Sequence, residues 1–205
     1  MKVLVRVVAV LVVLLAVGWG VYYAMMTGGF SGVEAAAEVG QKMPGFSLPD
    51  YTGEEHTLHD LKGKVVVLEF CSQKCPYSRG ADSDLIALYK AHKDAGVVFL
   101  GIDSHRSTPP GEIKEYAGEI GKSYPILKDE GNKYADVVGA KVTPEVYVLD
   151  EEGTVRYHGA FDNRSNPEKK GDEAYVADAI QAVLAGEDVE PKRVKAWGCT
   201  IKRAD

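Results

Sequence analysis

The sequence predicts an α/β fold, a mixed central sheet flanked by helices, on three observations. Two buried-type β-branched runs, Lys64–Phe70 (KVVVLEF) and Val97–Ile102, are each followed by a stretch of helical periodicity, two further runs are separated by a three-residue turn, and an amphipathic stretch comes last. In chain order, Gly40–Gly63 spaces turn residues among short apolar stretches, as in a hairpin laid across a sheet edge. Lys64–Phe70 then reads as a central strand buried on both faces. Pro76 opens the first helix, in which Leu85, Leu88, Tyr89 and His92 recur at helical spacing and Gly96 is placed to end it. Val97–Ile102 is the second buried strand. Pro109 and Pro110 precede a second helix with Ile113, Tyr116, Ala117 and Ile120 on one face and Gly121 beyond. Val146–Asp150 and Thr154–Gly159 form a hairpin across Glu151-Glu152-Gly153. Ala174–Leu184 is an amphipathic helix stopped by Gly186, and residues 187–205 read as a polar tail carrying Trp197 and Cys199.

The composition, 45% hydrophobic and 26% charged over 205 residues, is that of a globular protein and excludes a disordered chain. Lys+Arg number 24 against 30 Asp+Glu, net −6, so no nucleic-acid partner is expected. The charge is unevenly divided. Residues 1–26 hold Lys2 and Arg6 and no acid, which leaves 22 basic against 30 acidic residues on the remainder. From Val7 to Met26 no residue is charged, and at about 1.5 Å per residue this run makes a helix as long as a bilayer core is thick. Trp19, Tyr22 and Tyr23 lie toward its far end, and the flanking cations precede it, so the positive-inside bias places the N-terminus in the cytoplasm and the rest on the outer side. An uncleaved single-pass anchor at 1–26 is expected over a cleaved signal, whose apolar core is usually only about 7–15 residues. Residues 27–39 read as a linker, 40–187 as the domain, and 188–205 as its C-terminal tail.

Three cysteines are too few for a disulfide scaffold. In CSQKCPYS, Pro76 marks the first helical position, so Cys75 falls at the N-cap. There the unpaired N–H groups and positive end of the helix stabilise a thiolate, the nucleophilic form of a thiol. A cysteine beside a core strand is ordinarily a small buried hydrophobe. The strand-Cys-Pro-helix setting reverses that preference for Cys75 and leaves Cys71, one residue past the strand, open as packing, partner thiol or ligand. Cys199 lies in a polar tail that gives it little apolar surface to fill, and Trp197 is placed to dock that tail on the domain.

These residues resemble the thioredoxin superfamily and, within it, the redoxin (alkyl hydroperoxide reductase/thiol-specific antioxidant) group. The resemblance rests on VGQKMPGFSLPD, VVVLEFCSQKCPYS, VVFLGID, VTPEVYVLDEEGTVRYHGAFDNR and GCTIKR, and it covers about residues 40–200. The last two segments look like a peroxiredoxin-like subgroup with a second cysteine near the C-terminus. The resemblance implies a thioredoxin fold and a thiol-dependent oxidoreductase without a cofactor, working on protein thiols and disulfides or on peroxide. Cys75 takes the attacking position and Ser78 stands where a second thiol would be, so a mixed disulfide on Cys75 needs Cys199 or Cys71 to resolve it. Thr143-Pro144 matches the cis-proline position, whose preceding residue pairs with an extended substrate. Glu69 matches the buried acid that relays protons, or else is a strand-end carboxylate paired with Lys64 or Lys74. Outward topology further implies a membrane-embedded thiol donor.

Two other readings follow from the same motifs. Peroxiredoxins place a Thr three residues before the peroxidatic cysteine and an Arg close to it. Here Ser72 stands at the Thr position, while Thr143-Pro144 falls near the Arg position, so Arg79 or Arg164 would have to substitute. Arg79, one turn after Cys75, either favours its thiolate or is a solvated helix charge. Cys71-x-x-x-Cys75-Pro76 also resembles the copper motif of the membrane-anchored Sco family, which adds a histidine near the position of Val142 and Thr143. This chain has none there, only His105 in the loop after VVFLGID, and no metal is expected.

Overall fold

The computed structural model describes residues 37–204; the apolar run expected to anchor the chain lies outside them. Among the described residues no helix is long and apolar enough to cross a membrane. Strands β1 (Ser47–Pro49) and β2 (Glu55–Thr57) form the expected hairpin. The central strand β3 (Val65–Cys71) is buried at every position and extends one residue further than its β-branched run, so that Cys71 pairs with Asp103 inside the sheet. Helix α1 (Pro76–His92) begins at Pro76 with Cys75 as its N-cap, and a 3-10 turn carries it to Gly96. Strand β4 (Val97–Asp103) lies parallel to β3, and α2 (Pro110–Ile120) ends at Gly121.

The hairpin is β7 (Glu145–Leu149) and β8 (Val155–Gly159), and the amphipathic stretch is α4 (Tyr175–Ala185). Between α2 and β7 come three elements that the periodicity does not show: β5 (Ile126–Lys128), α3 (Lys133–Val138) and β6 (Val142–Thr143). Each is too short for a period to register. The tail, expected to be only polar, adds β9 (Arg193–Val194) and β10 (Cys199–Thr200). The main sheet runs β5-β4-β3-β7-β8-β9, with β3, β4 and β5 mutually parallel and β7 antiparallel to β3. This is the thioredoxin arrangement.

Burial on both sheet faces explains the near-continuous apolar strands. On one face Val65, Val67, Phe99, Val146 and Val148 pack against Leu85 of α1 and Ile180 of α4. On the other, Leu68, Phe70 and Tyr147 pack against Tyr134 and Val138 of α3, and Ile201 of the tail joins them. Each such large apolar side chain contributes about 1.5–3 kcal/mol on burial. Ala37 and Val39, placed in the linker by composition, belong to the same cluster, and the Ala37 N–H donates to the Val138 carbonyl.

The tail is fixed along its length. The Trp197 Nε1–H donates to the Asp162 carbonyl at 2.7 Å, and its ring lies 5.5 Å from that of Tyr77 in the first turn of α1, the docking role expected of it. Strand β10 then runs antiparallel to β6, with Cys199 opposite Thr143 and Thr200 opposite Val142. The Ile201 N–H donates to Lys141 O and the Ala204 N–H to Asn132 Oδ1. Gly198 permits this pairing. Its φ of 138° is open to glycine, and a Cβ there would stand 2.0 Å from the Thr143 carbonyl oxygen. Gly198→Val is therefore expected to lift β10 off β6 while leaving the core folded, at a cost of about 1–3 kcal/mol. Hydrogen exchange checks this through the Ile201 amide, which should lose protection while amides of β3 and β4 keep theirs.

Candidate active site

Cys75 sits where β3 gives way to α1, a junction that Pro76 makes abrupt. Its side chain is 2% exposed. The sulfur accepts from the Ser78 N–H at 3.4 Å, an N-cap interaction, and its S–H donates to the Thr143 carbonyl at 3.0 Å. The Thr143-Pro144 peptide is cis, as the resemblance implies. Thr143 is held from behind by Glu145, whose carboxylate accepts from the Lys141 and Val142 N–H groups and pairs with His158 at 2.7 Å. Burial raises the Glu145 pKa, but these hydrogen bonds outweigh it and hold the carboxyl below its ordinary value.

Because β10 pairs with β6, Cys199 comes to the same place. Cys75, Thr143 and Cys199 line one cleft of about 240 Å³, with Ser72, Lys74 and His105. The Cys199 thiol is pushed up to about 11, first by burial, then by hydrogen bonding to Cys75 and by the charge of Cys75. Cys71 does not enter this cleft. Its sulfur is directed into the fold, where a Cβ on Gly101 would stand 3.2 Å from it, and it packs with Ile113, Ala117 and Ile126. Burial, then the Glu69 carboxylate, holds its pKa well above the usual thiol range. A Cys71/Cys75 metal pair is thus not assembled: the two sulfurs line different cavities.

Glu69 pairs with neither Lys64 nor Lys74. Lys122 reaches in from the loop after α2 and donates to Glu69 Oε2 at 2.9 Å and to Asp82 Oδ1 at 2.8 Å, with Glu69 and Lys122 each at 1% side-chain exposure. Tyr124 also donates to Glu69 and Tyr116 to Asp82. One cation is shared by two carboxylates. Burial raises the Glu69 pKa beyond what Lys122 recovers, while Lys122, between two acids, is held well above its own ordinary value despite burial. A void of about 10 Å³, room for one water, is lined by Asp82 and Lys122 of this network and by Ser72 and Ser78, and Ser72 also lines the cleft of Cys75.

A family model described as AhpC/TSA matches residues 39–158, more than half of the chain. The chain belongs to the AhpC/TSA family. It is similar to a protein of Bacillus thuringiensis named thiol-disulfide oxidoreductase ResA, 27% identical over 161 residues, which are 75% of this chain and 85% of that protein. Among solved structures it is similar to an uncharacterised conserved protein from Geobacillus kaustophilus, 28% identical with a TM-score of 0.76 over 82% of this chain and 93% of that one. A hypothetical protein from Sinorhizobium meliloti matches at 27% identity and a TM-score of 0.76 over 82% and 95% of the two chains.

The arginines considered for a peroxide site lie apart from the cleft. Arg164 is buried away from the cleft, donating to Asp162 and to Asp84 at 2.7–2.8 Å and to the Gly80 carbonyl, and Arg79 is exposed on α1. Neither lines the cleft with Cys75, so neither substitutes for the peroxide-polarising arginine. Ser72 is buried, its N–H donating to Ser78 Oγ and its Oγ accepting from the Lys74 N–H, which fixes the Cys75 loop.

Three buried charged groups around the site were not singled out from the sequence, and two of them give no advance signal there. Lys122 and Asp82 read as surface charges of a loop and a helix, and only their convergence on Glu69 distinguishes them. Glu145 does carry a signal, since an acid at the start of the apolar run EVYVL needs a partner when that run is a core strand.

Two outcomes follow. Lys122→Met leaves two buried carboxylates without their cation and is expected to destabilise the protein by about 3–5 kcal/mol, most of it regained when Glu69→Gln and Asp82→Asn are added; urea unfolding measures both. Asp103, which accepts from the His105 N–H at 3.0 Å and pairs with Lys128, is pushed up to about 6, with burial outweighing Lys128. Its folded pKa exceeds its unfolded one, so its contribution is present below about pH 4 and is lost as pH rises through about 6. Asp103→Asn should remove that decline from a plot of urea midpoint against pH.

Proposed function

We propose that this chain is a thiol-disulfide oxidoreductase in which Cys75 is the nucleophile and Cys199 the resolving thiol. The observation that carries the reading is the β10–β6 register, which sets Cys199 opposite the residue whose carbonyl holds Cys75. Membership of the AhpC/TSA family and the likeness to proteins named thiol-disulfide oxidoreductase support it. The Cys75 thiolate attacks a disulfide sulfur, forming a mixed disulfide and releasing one thiolate. Cys199 then attacks the Cys75 sulfur, forming the Cys75–Cys199 bond and releasing the second thiol.

The electrostatics order these steps. While Cys75 carries the charge, Cys199 keeps its proton, because burial and Cys75 both disfavour a second thiolate there. A mixed disulfide on Cys75 has no charge, so one of these brakes is released when resolution is needed. Ser78, at the position of a conventional second thiol, instead donates its backbone N–H to Cys75 and accepts from Ser72. Glu69 serves as a proton reserve beneath the site, supported by its raised pKa and by the water-sized void between Lys122 and Ser78. Cys71 is a packing residue.

Anchoring belongs to the same proposal. The uncharged run 7–26 holds the chain in a membrane with the domain on the outer side, and a membrane-embedded thiol donor returns electrons to the Cys75–Cys199 disulfide. Peptide mapping tests the cycle. The oxidised protein should contain a Cys75–Cys199 bridge, Cys199→Ser should accumulate a mixed disulfide on Cys75, and Cys71→Ala should still form the bridge. A Cys71–Cys75 bridge, or no intramolecular bridge at all, overturns the assignment.

A further inference from the structure

The cleft over Cys75 has two properties that disulfide exchange alone does not require. The first is that its peptide-pairing edge is occupied. Strand β10 lies on β6 at Val142 and Thr143, so this chain's own tail uses the backbone groups on which an extended substrate would pair. The tail is also fixed beyond that pairing, by Trp197 on Asp162, Ile201 on Lys141 and the burial of Ile201 in the core.

The second property is the sign of its walls. Lys74, Lys202 and the imidazole of His105 line it, and among the described residues no carboxylate does, although the chain as a whole is acidic. Glu112 lies outside the lining and pairs with Lys74 at 2.5 Å; Lys202 and Arg106 are exposed beside it, and the Arg106 N–H donates to the Lys202 carbonyl. Lys128 and Asp103 face His105 from the sheet as a buried pair. The imidazole registers the net field: after burial, Lys128, Lys74, Lys202 and Arg106 all hold its pKa below the usual value.

We propose that the oxidant received by this cleft is an anionic low-molecular-weight disulfide, with carboxylates near its sulfurs, in preference to an extended polypeptide. This rests on the reading of Cys75 as nucleophile. The Cys75 thiolate attacks one sulfur of RS–SR, the S–S bond breaks, and RS⁻ leaves with its carboxylate toward Lys202 and Lys74. Cys199 attacks the Cys75 sulfur and gives its proton to the second departing thiolate. The small disulfide is thereby reduced to two thiols, and two cysteine thiols are oxidised to the Cys75–Cys199 bond. Occupation of β6 by the tail keeps a polypeptide from the same sulfur, and the cationic walls draw in and hold an anion.

Oxidation kinetics of the reduced full chain test this, with glutathione disulfide as the anionic probe, bis(2-hydroxyethyl) disulfide as the neutral one and cystamine as the cationic one. Each rate is divided by the rate of the same disulfide with a small free thiol, which removes intrinsic reactivity. At low salt the normalised rate for glutathione disulfide should exceed that for cystamine by about tenfold, and the gap should close as salt is raised. The double variant Lys74→Glu, Lys202→Glu should abolish or invert the order. A peptide disulfide of the same charge as glutathione disulfide, with extended flanks, should react about tenfold more slowly than it. Normalised rates that ignore charge, or a peptide that reacts as fast as glutathione disulfide, overturn the substrate assignment and leave the nucleophile in place. Failure of every disulfide to oxidise Cys75 faster than the free thiol removes the nucleophile reading itself.

Discussion

The carbonyl of Thr143 is the point at which the reactive parts of this protein meet. It accepts from Cys75 at 3.0 Å, it faces Cys199 across the β10–β6 pair, and it passes so close to Gly198 that no side chain fits between. Three separate parts of the chain meet there: the start of α1 with Cys75, the segment before β7 with Thr143 itself, and the tail with Gly198 and Cys199. Their meeting requires the Val142-Thr143 backbone to be held, and Glu145 does this by accepting two N–H groups of the preceding turn while paired with His158. A residue outside the cleft thus braces the segment that faces both cysteines.

Behind that surface the fold contains a second, electrostatic constraint. A sheet buried on both faces has no ordinary room for a carboxylate, yet Glu69 occupies the centre of β3. Lys122 makes this possible by neutralising Glu69 and Asp82 together, with two tyrosine hydroxyls satisfying further lone pairs. Desolvation of such a group costs several kcal/mol, so the arrangement is weak evidence for stability as such. Its partners Lys122 and Asp82 line the same water-sized void as Ser78. The same low-dielectric interior makes Cys71 a poor nucleophile while Cys75, at a helix start and facing a cleft, receives an N–H donor.

Much of this was legible in the residues. The buried strands β3 and β4, the three longer helices with their glycine ends, two of them with proline starts, and the β7–β8 hairpin all follow from local pattern, because period and turn chemistry act over a few neighbouring residues. Cys75 was legible for the same reason, since strand, cysteine and proline in succession define an N-cap. The tail was not. A two-residue strand has no period, and β10 exists only through its pairing with β6, more than 50 residues earlier, and the burial of Ile201. For Cys71 the local pattern falls short by a single position: the β-branched run ends at Phe70, whereas pairing with Asp103 keeps Cys71 inside the sheet.

By itself, then, the sequence determined the α/β architecture, the family, the cysteine at the helix N-cap and the existence of a spare thiol in the tail, because each rests on contacts close along the chain or on a contiguous motif. Tertiary structure alone decided which thiol faces Cys75, which cation neutralises Glu69, where the arginines go, and that the tail covers the peptide-pairing edge. Those outcomes depend on residues tens of positions apart reaching the same few ångströms. Hydrogen bonding and Coulomb interactions at that range are set by distance in space, and separation along the chain leaves no local trace of them.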